Sequence, residues 1–202
     1  NVAANNAGGF YVGSNESLIM SGGVIEANEA SNNGGAIYSN QGTIQLSNTA
    51  YIPAGTPEKN VVYLYGTSVL TIQNTLNPPD GSGGIVAQIT PQTYADNKPV
   101  LSGTSALLND NCNKFTVTKD PADTAISYWE INSSGELEKH SKYAMVGDTV
   151  CEDLTSLKNA IKSATGDITV VLGNSITATD IGKYNSTGTI AEKIKNSTAD
   201  TI

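Results

Sequence analysis

Arginine is missing altogether: the eleven basic residues of this 202-residue chain are all lysine. That removes the side chain best suited to bidentate phosphate recognition, and no basic stripe replaces it. With 19 acidic residues and a net charge of −8, nucleic acid and anionic membrane surfaces are disfavoured as partners. No run of about 18 apolar residues occurs, so no membrane insertion is expected of this chain. A charged leader followed by an apolar stretch is also missing. The chain opens at Asn1, in the middle of a repeat, and reads as a piece of a longer protein. Cysteine is scarce, with only Cys112 and Cys151. Two thiols and the single His140 do not make a closed zinc site. In an oxidising compartment Cys112 and Cys151 could bridge, while two separately buried thiols are the commoner outcome.

Large apolar side chains are also sparse, at 38 % hydrophobic residues. That is little for a broad core and enough for a narrow column one side chain deep. The pattern of the chain suits such a column. Asn6-Ala-Gly-Gly-Phe-Tyr-Val12 and Asn32-Asn-Gly-Gly-Ala-Ile-Tyr38 superimpose at an offset of 26 residues. The same offset puts Leu18 on Ile44 on Leu70, and Met20 on Leu46 on Ile72. Alternating apolar pairs on a period in the twenties, between Gly-Gly turns, are the signature of a strand-built solenoid. Gly8, Gly9, Gly34 and Gly35 are then structural, at corners where the chain turns sharply. Asn6 and Asn32 are placed to hydrogen-bond from coil to coil.

The expected fold is all-β: a right-handed parallel β-helix over residues 1–143, followed by an α/β segment over 144–202. Tyr63 to Tyr65 fits a third rung at an offset of 26 or 27, and Gly83-Gly-Ile-Val-Ala-Gln-Ile89 fits a fourth. A hairpin around the turn Asn132-Ser-Ser-Gly135, carrying the lone Trp129, is the candidate cap of the column. Residues 152–164 have helical spacing, with Asp148 or Thr149 as the cap and a strand over 167–172 to follow. A further strand over 174–179 and a weaker helical pattern over 189–196 complete the tail. This tail reads as the start of a second solenoid or as part of the cap of the first.

The tetrapeptide Gly34-Gly-Ala-Ile37, with a second copy at Gly8-Gly-Phe-Tyr11, resembles the repeats of polymorphic outer-membrane proteins and autotransporter-type β-helix adhesins of bacteria. The resemblance covers roughly residues 1–140. It implies an exported protein, extracellular or at the cell surface, acting as an adhesin or as a stalk for other modules. The composition, rich in Asn, Ser, Thr and Gly, resembles extracellular bacterial repeat proteins in the same way.

Chemistry is hard to find in the residues. The enzymatic use of a β-helix is polysaccharide cleavage, which needs carboxylates converging from successive rungs. No Asp precedes Asp80, and at the 26-residue offset Glu16 falls on Gly42 and Glu26 on Ile52. Asp120, Asp123 and Glu130 lack the alternation of a calcium loop. Gly81-Ser-Gly-Gly84 leads into a strand and cannot serve as a phosphate loop. No catalytic residue, metal or cofactor is therefore expected. Tyr38, Tyr63 and Tyr65 are the candidate ligand-binding residues, with Tyr11 and Tyr51 beside them; they either offer a surface to a glycan or protein, or stack on one another and cover the column. The functional expectation is a non-enzymatic, adhesive stalk that binds a protein or glycan on another surface. The alternative is a carbohydrate-active β-helix whose active rungs lie outside this chain.

Overall fold

The structure is a computed structural model that describes residues 1–55, 59–123, 126–147, 149–165 and 168–173. Two compact units divide the chain: Asn1–Asp120 with Trp129–Lys139, and Pro121–Tyr128 with His140–Ile202. The expected strand over 174–179 and the helical pattern over 189–196 lie outside the described residues.

The chain begins with β1 (Val2–Ala3), β2 (Phe10–Val12) and β3 (Ser17–Met20). The second lap repeats them as β4 (Glu29–Ala30), β5 (Ile37–Asn40) and β6 (Thr43–Asn48). Next come β7 (Val62–Tyr65), β8 (Leu70–Leu76), β9 (Ala87–Pro91) and β10 (Leu101–Ser102). A short helix α1 (Ser105–Asn111), a 3-10 turn (Cys112–Lys114) and β11 (Phe115–Val117) follow. The strands line up in chain order as β2-β5-β7-β9-β11, β3-β6-β8-β10 and β1-β4, and the pairing is parallel throughout. This unit is a parallel β-helix.

Leu18 sits on Ile44, Ile44 on Leu70 and Leu70 on Leu101; Met20, Leu46 and Ile72 form the column beside them. Ile44, Leu46 and Leu70 are fully buried, Ile72 and Met20 nearly so, and Leu18 at the first coil is half-buried. A third column, Phe10-Ile37-Val62-Ile89-Val117, lines the facing sheet. Strand alternation accounts for all three, because residues i and i+2 share a face and coils stack about 4.8 Å apart.

The 26-residue offset holds between β3 and β6, but not on the facing sheet. There Tyr11 pairs with Tyr38 and Tyr38 with Tyr63, so the first step is one residue longer than 26 and the second one shorter. The expected offset of 26 or 27 for Tyr63 is corrected accordingly. The turns absorb the difference: the chain takes one more residue from Val12 to Ser17 than from Ser39 to Thr43. The asparagine ladder shifts with it. Asn33, not Asn32, donates its backbone N–H to Asn6 Oδ1 at 3.2 Å. A second ladder joins three coils, with Asn1 Nδ2 donating to Asn28 Oδ1 (3.1 Å) and the Asn28 N–H to Asn60 Oδ1 (3.1 Å). Buried Asn60 also donates to the carbonyls of Ile25 (2.7 Å) and Pro53 (2.6 Å), which pins that corner.

The four corner glycines are needed for close approach more than for freedom. A Cβ on Gly8 would run into the Glu29 carbonyl, one on Gly9 into that of Ala36, and one on Gly35 into that of Lys59. At Gly34 a Cβ would run into the Ile37 carbonyl, and a φ of +69° disfavours any other residue as well.

The far end of the column is closed twice. Residues 105–111 form α1, capped by Thr104 and holding Leu108 against the core. Fully buried Asn111 takes the Leu76 N–H and Lys114 Nζ on its Oδ1, at 3.0 and 2.9 Å, and so ends β8. The expected hairpin is present as β12 (Ser127–Ile131) and β13 (Leu137–Ser141), and its turn bonds to the last coil: Val100 N–H donates to Gly135 O and Leu137 N–H to Lys98 O. Trp129 is buried in the core cluster, its ring against Tyr94 at 5.8 Å.

In the second unit β14 (Ala144–Val146) lies between β15 (Thr149–Cys151) and β16 (Val170–Leu172), both antiparallel to it. Parallel rungs of a second solenoid are thus not among its described strands. Helix α2 (Leu154–Ser163) buries Leu157 and Ile161 with Cys151 and Val170. Its cap is Asp153, not Asp148 or Thr149, because Ser156 three residues on returns the hydrogen bond in a capping box. The backbone N–H and hydroxyl of Ser156 hold the Asp153 carboxyl below its usual range. Both thiols are free; Cys112 packs with the cluster of the β-helix and Cys151 with that of the second unit. Burial, then Asp153 and Glu152, push the Cys151 thiol up. A thiol reagent is therefore expected to find one prompt thiol in the native chain, lost in Cys112→Ser, with Cys151 reacting only after denaturation. A bridged pair would give no reactive thiol in either state.

Candidate binding face

The outer side of the sheet β2-β5-β7-β9-β11 carries two ranks of side chains, because residues two apart in a strand point the same way. Tyr11, Tyr38, Tyr63 and Thr90 make the first rank. Thr118 extends it, donating its hydroxyl to Thr90 Oγ1 at 3.0 Å. Asn40 and Tyr65 pair in the second rank, and Gln92 follows, its Oε1 accepting the Gly66 N–H at 2.8 Å.

The tyrosines stack along the coil axis. Ring centroids lie 5.5 Å apart for Tyr11 and Tyr38 and 5.1 Å for Tyr38 and Tyr63, with planes within 13° of parallel. Tyr65 leans on Tyr38 at 6.2 Å. Both faces of Tyr38 are therefore covered, and it is buried. The rings left open are Tyr11, 54 % exposed, and Tyr65, 37 % exposed. Asn40 Nδ2 donates to the Tyr11 hydroxyl at 3.0 Å and fixes that ring's edge.

Burial raises the Tyr38 hydroxyl above its ordinary value, helped by Tyr63, Tyr65 and Tyr11; burial and Tyr65 do the same for Tyr63. Both stay neutral through the physiological range. The two ranks hold no charged side chain at all, on a chain of net charge −8. Such a face can stack, accept and donate hydrogen bonds, and cannot select a ligand by charge.

The remaining sequence candidates are scattered. Tyr51 bridges Val24 on another face, and Glu29 pairs with Lys59 at a corner. His140 stacks on Tyr128 at 5.4 Å in the second unit. Among the described residues, no three His, Cys, Asp or Glu side chains are grouped to hold a metal ion. No described helix is long and apolar enough to cross a membrane. Against family models, curated proteins and solved structures, the chain finds no match. Sequence reasoning singled out Tyr38, Tyr63 and Tyr65, set Tyr11 beside them, and passed over Asn40, Thr90, Gln92 and Thr118. The available signal was simple spacing: Asn40 stands two residues after Tyr38, as Tyr65 does after Tyr63.

Proposed function

We propose that this chain is a rigid structural and adhesive module of an exported bacterial surface protein, resembling autotransporter-type β-helix adhesins. It holds the rank of Tyr, Asn, Thr and Gln toward a neutral glycan or an uncharged stretch of protein on another surface. The observation that carries this reading is the uncharged outer face itself. A ligand would stack on Tyr11 and Tyr65 and bond to Asn40 and Gln92, on a backbone locked by parallel ladders from strand to strand. Rigid aromatic side chains supply contact area at low entropic cost, and a sheet that does not rearrange keeps that cost low.

The test is an array of neutral and acidic glycans probed with the whole chain, followed by Tyr11→Ala/Tyr65→Ala. Binding to neutral glycans, weakened about tenfold or more by the double variant, is the expected result. Binding unchanged by the variant, or preference for acidic glycans, removes the face from consideration. Release of cleaved product from a bound polysaccharide would favour an enzyme instead.

A further inference from the structure

Rings stacked along the coil axis turn their edges outward and cover one another's faces. Tyr38 loses both faces in this way, to Tyr11 and Tyr63. A ligand laid along the coils would meet ring edges there, with little area for stacking. A ring face comes free where the rank of tyrosines stops. It stops between the third and fourth coils, because the residue paired with Tyr63 is Thr90 rather than another ring. Tyr63 has Tyr38 on one side, with planes 13° apart, so its other side looks toward the coil of Thr90. Tyr63 is half-buried and Tyr65 is exposed; among the described residues, neither has an aromatic partner besides Tyr38.

The outer surface steps down at this point. One stacked ring takes up the 5.1 Å between Tyr38 and Tyr63, and Thr90 fills only the base of the equivalent space in its own coil. The next coil again brings a small side chain, Thr118, and the Tyr94 hydroxyl borders the step there, 2.6 Å from Thr118 Oγ1. Two donors stand at the step in fixed positions. Thr90 Oγ1 accepts the Thr118 hydroxyl at 3.0 Å, which leaves the Thr90 hydroxyl hydrogen to donate. Gln92 Oε1 is held by the Gly66 N–H at 2.8 Å, which orients the amide and leaves Nε2 to donate.

We propose that this step is a subsite for one neutral hexopyranose ring, set against Tyr63 and Tyr65 where a further tyrosine would otherwise stand. A pyranose suits both halves of the site: its C–H face lies on an aromatic ring, and the oxygens around its edge accept from Thr90 and Gln92. Proline-rich segments also dock on aromatic rings, but a proline ring has no oxygen for these donors. The subsite presupposes that the face binds glycans, and it narrows the ligand. The sugar enters edge-on between two coils, so the units linked to it project away from the surface. The protein then reads the end of a glycan, one unit at a time, and not a run of sugars along the coils.

The test is NMR titration of the whole chain with methyl glycosides of glucose, galactose, mannose and N-acetylglucosamine, each beside a tetrasaccharide ending in the same sugar. At least one glycoside is expected to bind, and its tetrasaccharide to bind no more than about threefold tighter. Thr90→Tyr extends the rank of rings into the step and is expected to weaken binding about tenfold or more, with an unchanged circular dichroism spectrum. Thr90→Val keeps the shape but not the hydroxyl, and is expected to weaken binding about fivefold. Thr43→Tyr, at an exposed position of the other sheet, leaves binding intact. A larger gain with chain length overturns the subsite. So does binding that is lost in Tyr11→Ala/Tyr65→Ala yet untouched by the two Thr90 variants, and in both cases the face keeps its glycan. A proline-rich peptide that binds where the sugars do not overturns it as well. Silence of all four sugars overturns the subsite, and silence of the glycan array besides takes the whole face with it.

Discussion

Gly35→Ala is expected to unfold or nearly unfold the β-helix. The added methyl would lie inside the Lys59 carbonyl group and 2.8 Å from the Asn28 carbonyl oxygen. Neither can retreat easily. Asn60, next to Lys59, holds three hydrogen bonds to Asn28, Ile25 and Pro53, and the Asn28 N–H is one of them. The cost is on the order of 4 kcal/mol or more, against a typical domain stability of about 5–15 kcal/mol. Gly66→Ala is the control: its φ is +64° but nothing lies within 4 Å of the new atom. That substitution should cost only about 1–2 kcal/mol, from backbone conformation alone. Urea unfolding followed by the fluorescence of Trp129 compares the two. Equal midpoints would mean that the two coils do not touch at Gly35.

The second large effect is graded along one column. Ile44→Ala, between Leu18 and Leu70 and fully buried, is expected to cost about 2–5 kcal/mol. Leu18→Ala, half-buried in the first coil, should cost less than about 2 kcal/mol because part of its surface already meets water. Unfolding by urea is the measure for both. Equal losses would mean that something covers Leu18.

Much of the column was legible in the sequence, because alternation and a constant spacing fix the partners of Leu18, Ile44 and Leu70 together. The tyrosine face was harder. Aligning the Gly-Gly pairs sets Tyr11 against Ile37, whereas the ladder sets Tyr11 against Tyr38. The glycines misled because corners vary in length, while a strand register is set by what its side chains meet. Helix α1 left little trace, having only seven residues and a Thr104 cap to announce it. Asn60 and Asn111 could not be told from the many asparagines on the surface, since only burial distinguishes them. The outer rank needed a correct register before its stacking could be read at all.

That independence of corner and ladder has an evolutionary consequence. Residues 92–100 connect β9 to β10 by a detour, yet Leu101 still lands on Leu70. Doubling such a loop costs only about 0.6 kcal/mol in closure entropy. Lineages can therefore lengthen or shorten a detour of this kind, and change what it touches, while the scaffold goes on folding, so long as tight corners such as the one at Gly35 are kept.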